Sequence, residues 1–171
     1  MAESKHVDEI YELVEDIEIA MLTTRRPDGQ LVSRPMATQV RAAGADFWFV
    51  TSRETEKLDE LESDPQVNLA YYDMKSREYV SVSGVAHLSQ DRAKIRELYR
   101  PDWRAWFGGE GEQAGTPEDP RMILIGVDAQ SVVYMKVDKP RPVVLFQVVK
   151  GMLTGSEINV GEVRRVDGEA L

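Results

Sequence analysis

Two short stretches carry most of the chemistry that this sequence could perform. The first is Val32-Ser33-Arg34-Pro35-Met36-Ala37-Thr38, and the second, twelve residues further on, is Val50-Thr51-Ser52-Arg53-Glu54-Thr55-Glu56-Lys57. Arg34 stands in a β-prone run directly before a proline, which cannot donate to a strand ladder, so the segment is expected at a sheet edge or facing a ligand. Thr51 and Ser52 end a strand just before a helix, where free backbone N–H groups and hydroxyls make an anion cradle. Lys57 lies on that helix and can turn back toward it. Arg34, Lys57, Thr51 and Ser52 could thus converge on one phosphate, arginine with its fork and lysine as a point charge. The competing reading pairs Arg34 and Lys57 with surface carboxylates such as Glu54 or Glu56, and spacing alone leaves both open.

A second candidate is aromatic. Trp103, Trp106 and Phe107 fall in the segment from Pro101 to Pro120, beside the Gly- and acid-rich run Gly108-Gly109-Glu110-Gly111-Glu112. This segment reads as the loosest part of the chain. An aromatic cluster on such a loop can stack on a planar cofactor or cover it; Trp103 is expected to pack in the core and Trp106 to face the cofactor. His6 and His87 are the only histidines and are too far apart for a metal pair. His6 reads as solvated and His87 as a strand residue, and no Gly-x-Ser-x-Gly turn supports serine hydrolysis.

The elements that must position these residues follow from periodicity. Val7, Ile10, Tyr11, Val14 and Ile17 recur at helical spacing with acids on the other face, which predicts an amphipathic opening helix that caps a sheet. Ile19 to Thr24 and Leu31 to Val40 predict a hairpin across Pro27-Asp28-Gly29, and Phe47 to Thr51 a further strand. A short helix is expected within Thr55 to Ser63, ending before Pro65. Val67 to Tyr72 and Tyr79 to Leu88 read as strands, the first buried and the second alternating, and Ser89 as the cap of a helix through Tyr99. Met122 to Val127 and Val132 to Val137 read as a hairpin across Asp128-Ala129-Gln130-Ser131, with Val143 to Val149 as a further strand. The polar stretch from Thr154 to Leu171 is expected to be extended or partly disordered.

Six or seven short strands with two or three helices suit an antiparallel barrel with helical caps. A length of 171 residues suits one domain, expected over 1–150 with a polar tail over 151–171. Lys and Arg total 21 against 30 Asp and Glu, a formal net charge of −9, so the overall field repels nucleic acid and anionic membrane. Any bound anion needs a local basic site. The absence of cysteine removes disulfides, thiolate nucleophiles and Cys-based metal sites. With no basic-then-apolar leader and no run of roughly 18 apolar residues, the expected location is the cytoplasm.

In order and wording the sequence resembles the general stress protein 26 group of the pyridoxamine 5′-phosphate oxidase-like split barrels. The resemblance runs from about Val7 to Lys136. It rests on the acidic opening helix, Ala20-Met21-Leu22-Thr23-Thr24, the Ser33-Arg34-Pro35-Met36 strand, Trp48-Phe49-Val50-Thr51, the Lys57 helix and Tyr79-Val80-Ser81-Val82-Ser83-Gly84. The resemblance implies a homodimeric antiparallel split β-barrel that holds FMN, with FAD as the alternative, at the subunit interface. It implies that Arg34 and Lys57 hold the flavin phosphate and that Pro35, Met36 and Ser52 belong to the same site. Val50 and Thr51 would line the isoalloxazine and ribityl chain, and Tyr79, Val80 and Ser81 would approach the ring from the facing strand. Oxidoreductase activity is the leading expectation; the alternative is a module that binds or senses flavin, haem or a deazaflavin without turnover. Two positions depart from the oxidase pattern, Gln39 in place of a second lysine and Glu56 in place of a basic residue. No C-terminal Arg-x-His element is present, so oxidation of vitamin B6 is not expected.

Overall fold

The computed structural model describes residues 2–109, 111–137, 161–171 and the isolated positions 143, 150 and 152. Helix α1 (Ala2–Ile17) buries Ile10, Tyr11, Leu13 and Val14. It ends at Glu18, whose backbone turns to a φ of +65°. There the chain enters β1 (Ile19–Arg25), which pairs in antiparallel register with β2 (Leu31–Ala37) across the expected turn. Next come β3 (Phe47–Ser52), α2 (Lys57–Ser63), β4 (Gln66–Tyr72), β5 (Tyr79–Ser89), α3 (Arg92–Leu98) and the single turn α4 (Trp103–Trp106). The chain continues through β6 (Met122–Lys136) and β7 (Glu162–Asp167) to a 3-10 turn at Gly168–Ala170.

All seven strands form one antiparallel sheet in the order β2-β1-β4-β5-β6-β3, with β7 also on β6. The sheet curls until the amide of Gln39, just past β2, donates to the carbonyl of Trp48 on β3. Its concave side holds the main core, which includes Leu22, Phe47, Phe49, Leu69, Val82, Ile125 and Tyr134 beneath α1. A second cluster on the other side of β3 and β6 packs Trp48, Met122 and Leu124 against Ile95, Leu98, Trp103 and Phe107. Burial on both faces explains the uninterrupted apolar run from Met122 to Val127.

Three sequence expectations are corrected. Met122 to Val137 is not a hairpin but one long strand. Asp128-Ala129-Gln130-Ser131 contains no glycine for a tight turn, and Gln130 is instead the extra residue of a bulge opposite Ser83 and Gly84. Helix α3 is capped by Asp91, whose side chain accepts from Ala93 N–H at 2.8 Å, while Ser89 receives the amide of Asp91. Within the polar stretch after Thr154, Glu162–Asp167 is an edge strand held by register to Ser131–Lys136. Apart from Val143, the strand expected over Val143 to Val149 lies outside the described residues.

Arg164 explains why a charged segment joins the sheet: it donates to Glu9 at 2.9 Å, and Glu9 accepts from the fully buried Tyr134 hydroxyl at 2.6 Å. Tyr134 has one hydroxyl proton, committed to Glu9, so His6 Nδ1 at 2.7 Å must be the donor to the tyrosine oxygen. His6 is therefore part of a buried polar network that ties α1 to β6 and β7, rather than a solvated side chain.

Candidate functional site

A cavity of about 750 Å³ opens where α1, the end of β2, β3, the start of α2 and α4 meet. Its floor is apolar, from Val14, Met36, Phe47 and Val50, and its rim carries Trp106, which is 85% exposed. Of the residues singled out in the sequence, Pro35, Met36, Val50, Thr51, Ser52, Lys57 and Trp106 all line it. Residues far apart in sequence meet here because β2 and β3 close the curl of the sheet side by side.

Lys57 extends back along the first turn of α2 and donates to Thr51 Oγ1 at 2.7 Å. Burial, and then the charge of Arg34, hold its ammonium below the usual lysine range, with Glu60 opposing. The charge of Arg34 is thus felt at Lys57. Arg34, however, is not part of the cavity wall. Its Nη1 donates to Thr24 Oγ1 at 2.6 Å and its Nη2 to Glu60 Oε2 at 2.8 Å. Glu60 is only 4% exposed and also accepts from Thr24 at 2.5 Å. Burial pushes the Glu60 carboxyl up, but the hydrogen bonds from Thr24 and Arg34 and the arginine charge outweigh this and hold it below the ordinary range.

The carboxylate facing Arg34 is therefore neither Glu54 nor Glu56. Glu60 stands three residues after Lys57, so both project to one side of α2, a relation legible in the sequence once α2 is placed. Past Thr51, the amide of Arg53 donates to the Arg121 carbonyl, that of Glu54 to Ser52 Oγ and that of Thr55 to the Ser52 carbonyl, so these three are committed within the chain.

Tyr79, Val80 and Ser81 do not line this cavity. Val80 is fully buried in the main core, and Ser81 Oγ accepts from Asn68 at 3.0 Å on the convex face of the sheet. Trp103 is buried as expected, and its indole N–H donates to Gln39 Oε1 at 3.2 Å. Gln39, noted in the sequence only as a missing lysine, thus anchors the aromatic wall.

The segment carrying that wall is not loose. Asp119, 1% exposed, accepts from the amides of Gly115 and Arg121 and from the Arg121 guanidinium at 3.0 and 2.7 Å. Arg121 also donates to the carbonyls of Phe107 and Gly108. One buried ion pair therefore closes the loop from Phe107 to Arg121 and fixes the wall. The guanidinium hydrogen bonds outweigh burial and bring the Asp119 carboxyl down to about 2.

Residues 5–159 match the family described as pyridoxamine 5′-phosphate oxidase like. The chain belongs to this family. Protein bli-3 of Neurospora crassa is 35% identical over 153 residues, spanning 87% of this chain and 73% of that protein. Among solved structures, a chain from Jannaschia sp. CCS1 described as a candidate general stress protein 26 superposes with a TM-score of 0.74, at 24% identity, covering 98% of this chain and 99% of its own. The general stress FMN/FAD binding protein of Xanthomonas citri superposes with a TM-score of 0.60, at 24% identity, over 73% of this chain and 84% of its own. The Jannaschia and Xanthomonas structures therefore share the fold of this chain. Among the described residues no group of His, Cys, Asp and Glu could hold a metal, and no helix is long and apolar enough to cross a membrane.

Proposed function

We propose that this chain binds a flavin nucleotide, FMN in the first place, and serves as a flavin-dependent oxidoreductase acting as a homodimer. The observation that carries the reading is the half-buried Lys57 ammonium resting on the Thr51 hydroxyl, in the field of Arg34, at one end of an apolar-floored cavity. A cation already stripped of much of its water and set beside a second cation gains most from an anion, and a phosphoryl group is the anion that a hydroxyl–ammonium pair suits. Lys57, Thr51 and Ser52 hold the phosphate, Arg34 adds its charge from behind, and Val50, Met36 and Trp106 accept the planar ring. The flavin, when bound, supplies the electron chemistry, and the protein supplies its orientation and field.

The convex face of the sheet supports the dimer reading. Register places Pro35, Met21, Ala70, Ser81 and Val133 in one row across five strands, with Tyr72, Tyr79, Met135 and Val163 in another. Met21, Tyr72 and Val163 are 40%, 58% and 58% exposed. Ile19, Pro35 and Ala37 belong both to this face and to the cavity wall, so the apolar surface runs into the cavity mouth. A second copy on this face would cover it and bring its own Tyr79 and Ser81 toward the first copy's cavity.

The protein as purified should carry, or take up on titration, a flavin with visible absorption. Mass analysis of the released chromophore identifies it, and a colourless protein that leaves added FMN fluorescence unquenched refutes the proposal. A module that binds flavin without turnover is the second reading, favoured by a cavity wall with no histidine among the described residues. Flavin reduction by NAD(P)H or a deazaflavin donor separates the two.

A further inference from the structure

The cavity has a second polar end, remote from Lys57, that phosphate binding leaves unexplained. It is built by Tyr11 from α1 and by Arg41 and Asp46 from the connection between β2 and β3, and an adjoining cavity of about 430 Å³ shares the same three residues. Tyr11 is 8% exposed, and the proton of its buried hydroxyl has no acceptor among the described residues. Its polar neighbours are satisfied: Gln39 is bonded to Ala37 and Trp103, and Thr38 to Tyr71. An unmade hydrogen bond at this depth is costly, and an oxygen placed beside it removes that cost. The Arg41 guanidinium lies over the Tyr11 ring, 3.8 Å from its centre; its Nη2 donates to the Leu171 carbonyl at 3.2 Å, and its other N–H groups offer further donors beside the ring.

The charges around this end choose the ligand class. Asp46 lines the cavity there, and Asp46 and Asp128 line the adjoining one, against Arg41. A carboxylate ligand would meet more acids than bases. A neutral group with an acceptor oxygen beside an N–H donor would satisfy Tyr11 and Arg41 with the first and Asp46 with the second. We infer that the Tyr11–Arg41–Asp46 end is the subsite of the second reactant, and that it takes a planar aromatic carboxamide, a class that includes nicotinamide hydride donors. The assignment rests on reading the Lys57 end as the cofactor end.

Three probes of one shape separate the possibilities: benzamide, acetophenone, which lacks the N–H, and benzoate, which carries the charge. Each is titrated into the full chain, with and without FMN, while the backbone amides of residues 42–46 and the Arg41 side-chain N–H are followed by NMR. Benzamide should shift these signals and bind about 10- to 150-fold more tightly than acetophenone, the worth of one hydrogen bond to a charged group, and benzoate should bind most weakly. Asp46→Asn, which keeps an oxygen for the Ala129 amide, should erase the preference for benzamide over acetophenone. Tyr11→Phe should weaken both by a similar factor, and FMN affinity should stay unchanged in both variants. Benzoate binding as well as benzamide, equal preference in wild type and Asp46→Asn, or competition between benzamide and FMN would overturn the assignment. Failure of FMN itself to bind would instead strike the cofactor reading, and that titration is scored separately.

Discussion

Replacing Lys57 by methionine tests the phosphate end most directly. Lys57 is half-buried, so much of the cost of removing its charge from water is already met on folding, and a bound phosphate recovers a charge-assisted contact of about 1.5–3 kcal/mol. The variant should therefore bind FMN about 10- to 150-fold more weakly. Stability of the ligand-free protein should move the other way or stay level. Burial and the neighbouring Arg34 both disfavour the charged lysine and only Glu60 favours it, so methionine removes a group whose charged form the fold penalises at neutral pH. The assay is fluorescence titration of FMN and of riboflavin, which has the ring but no phosphate, at two salt concentrations, together with thermal unfolding. Riboflavin affinity should be unchanged by the substitution, and the salt dependence of FMN binding should shrink. Equal loss for riboflavin and FMN would refute a phosphate at Lys57 and place the lysine against the ring or outside the site.

Asp119→Asn should lower stability by about 2 kcal/mol, since a carboxyl near 2 in the fold and 3.8 outside it contributes stability that is fully present above about pH 4 and is lost as pH falls toward 2. Unfolding curves across that range should be steeper in pH for the parent than for the variant. Arg34→Ala leaves the buried Glu60 with only Thr24 as partner and should cost about 2–4 kcal/mol, so thermal unfolding must accompany any binding measurement on it. Glu60→Gln should strengthen phosphate binding while lowering stability, read by FMN titration and by denaturant unfolding of the same sample. Tyr134→Phe should cost about 1–3 kcal/mol and speed amide exchange over Glu162–Asp167, because Glu9 loses one of the two groups that let it hold Arg164. Met21→Glu should convert the dimer to monomer in analytical ultracentrifugation and weaken FMN binding with it, and a monomeric parent would remove the interface argument.

The strands were legible wherever one face is wet. β5 alternates as expected, and α1 shows its stripe through Ile10 and Val14; β4, expected to be buried, alternates as well, with one face exposed. Legibility failed where long-range partners decide. Nothing local distinguishes a turn at Asp128–Ser131 from a bulge in a strand that β3 flanks along its first half and β7 along its second. Nothing local in Glu162–Asp167 announces a strand either, because its place depends on Arg164 reaching Glu9, 155 residues away. At the site, Lys57, Thr51 and Trp106 were readable from type and position. Tyr11 was not, since an apolar-face tyrosine reads as core whether or not its hydroxyl finds a partner.

Glu60 explains how the site can be both stable and basic. The charge of Arg34 disfavours the charged form of the half-buried Lys57, so without a counter-charge the two cations would repel across a partly dry gap. Glu60 cancels one of them from below, through a bond to Arg34 and a shared hydroxyl on Thr24, and leaves Lys57 facing the cavity as the net charge. The chain as a whole is strongly acidic, with a net charge of −9. An anion is thus drawn to this corner only by its local field. The carboxylate that weakens that field is also the one that lets the ligand-free protein hold two cations there.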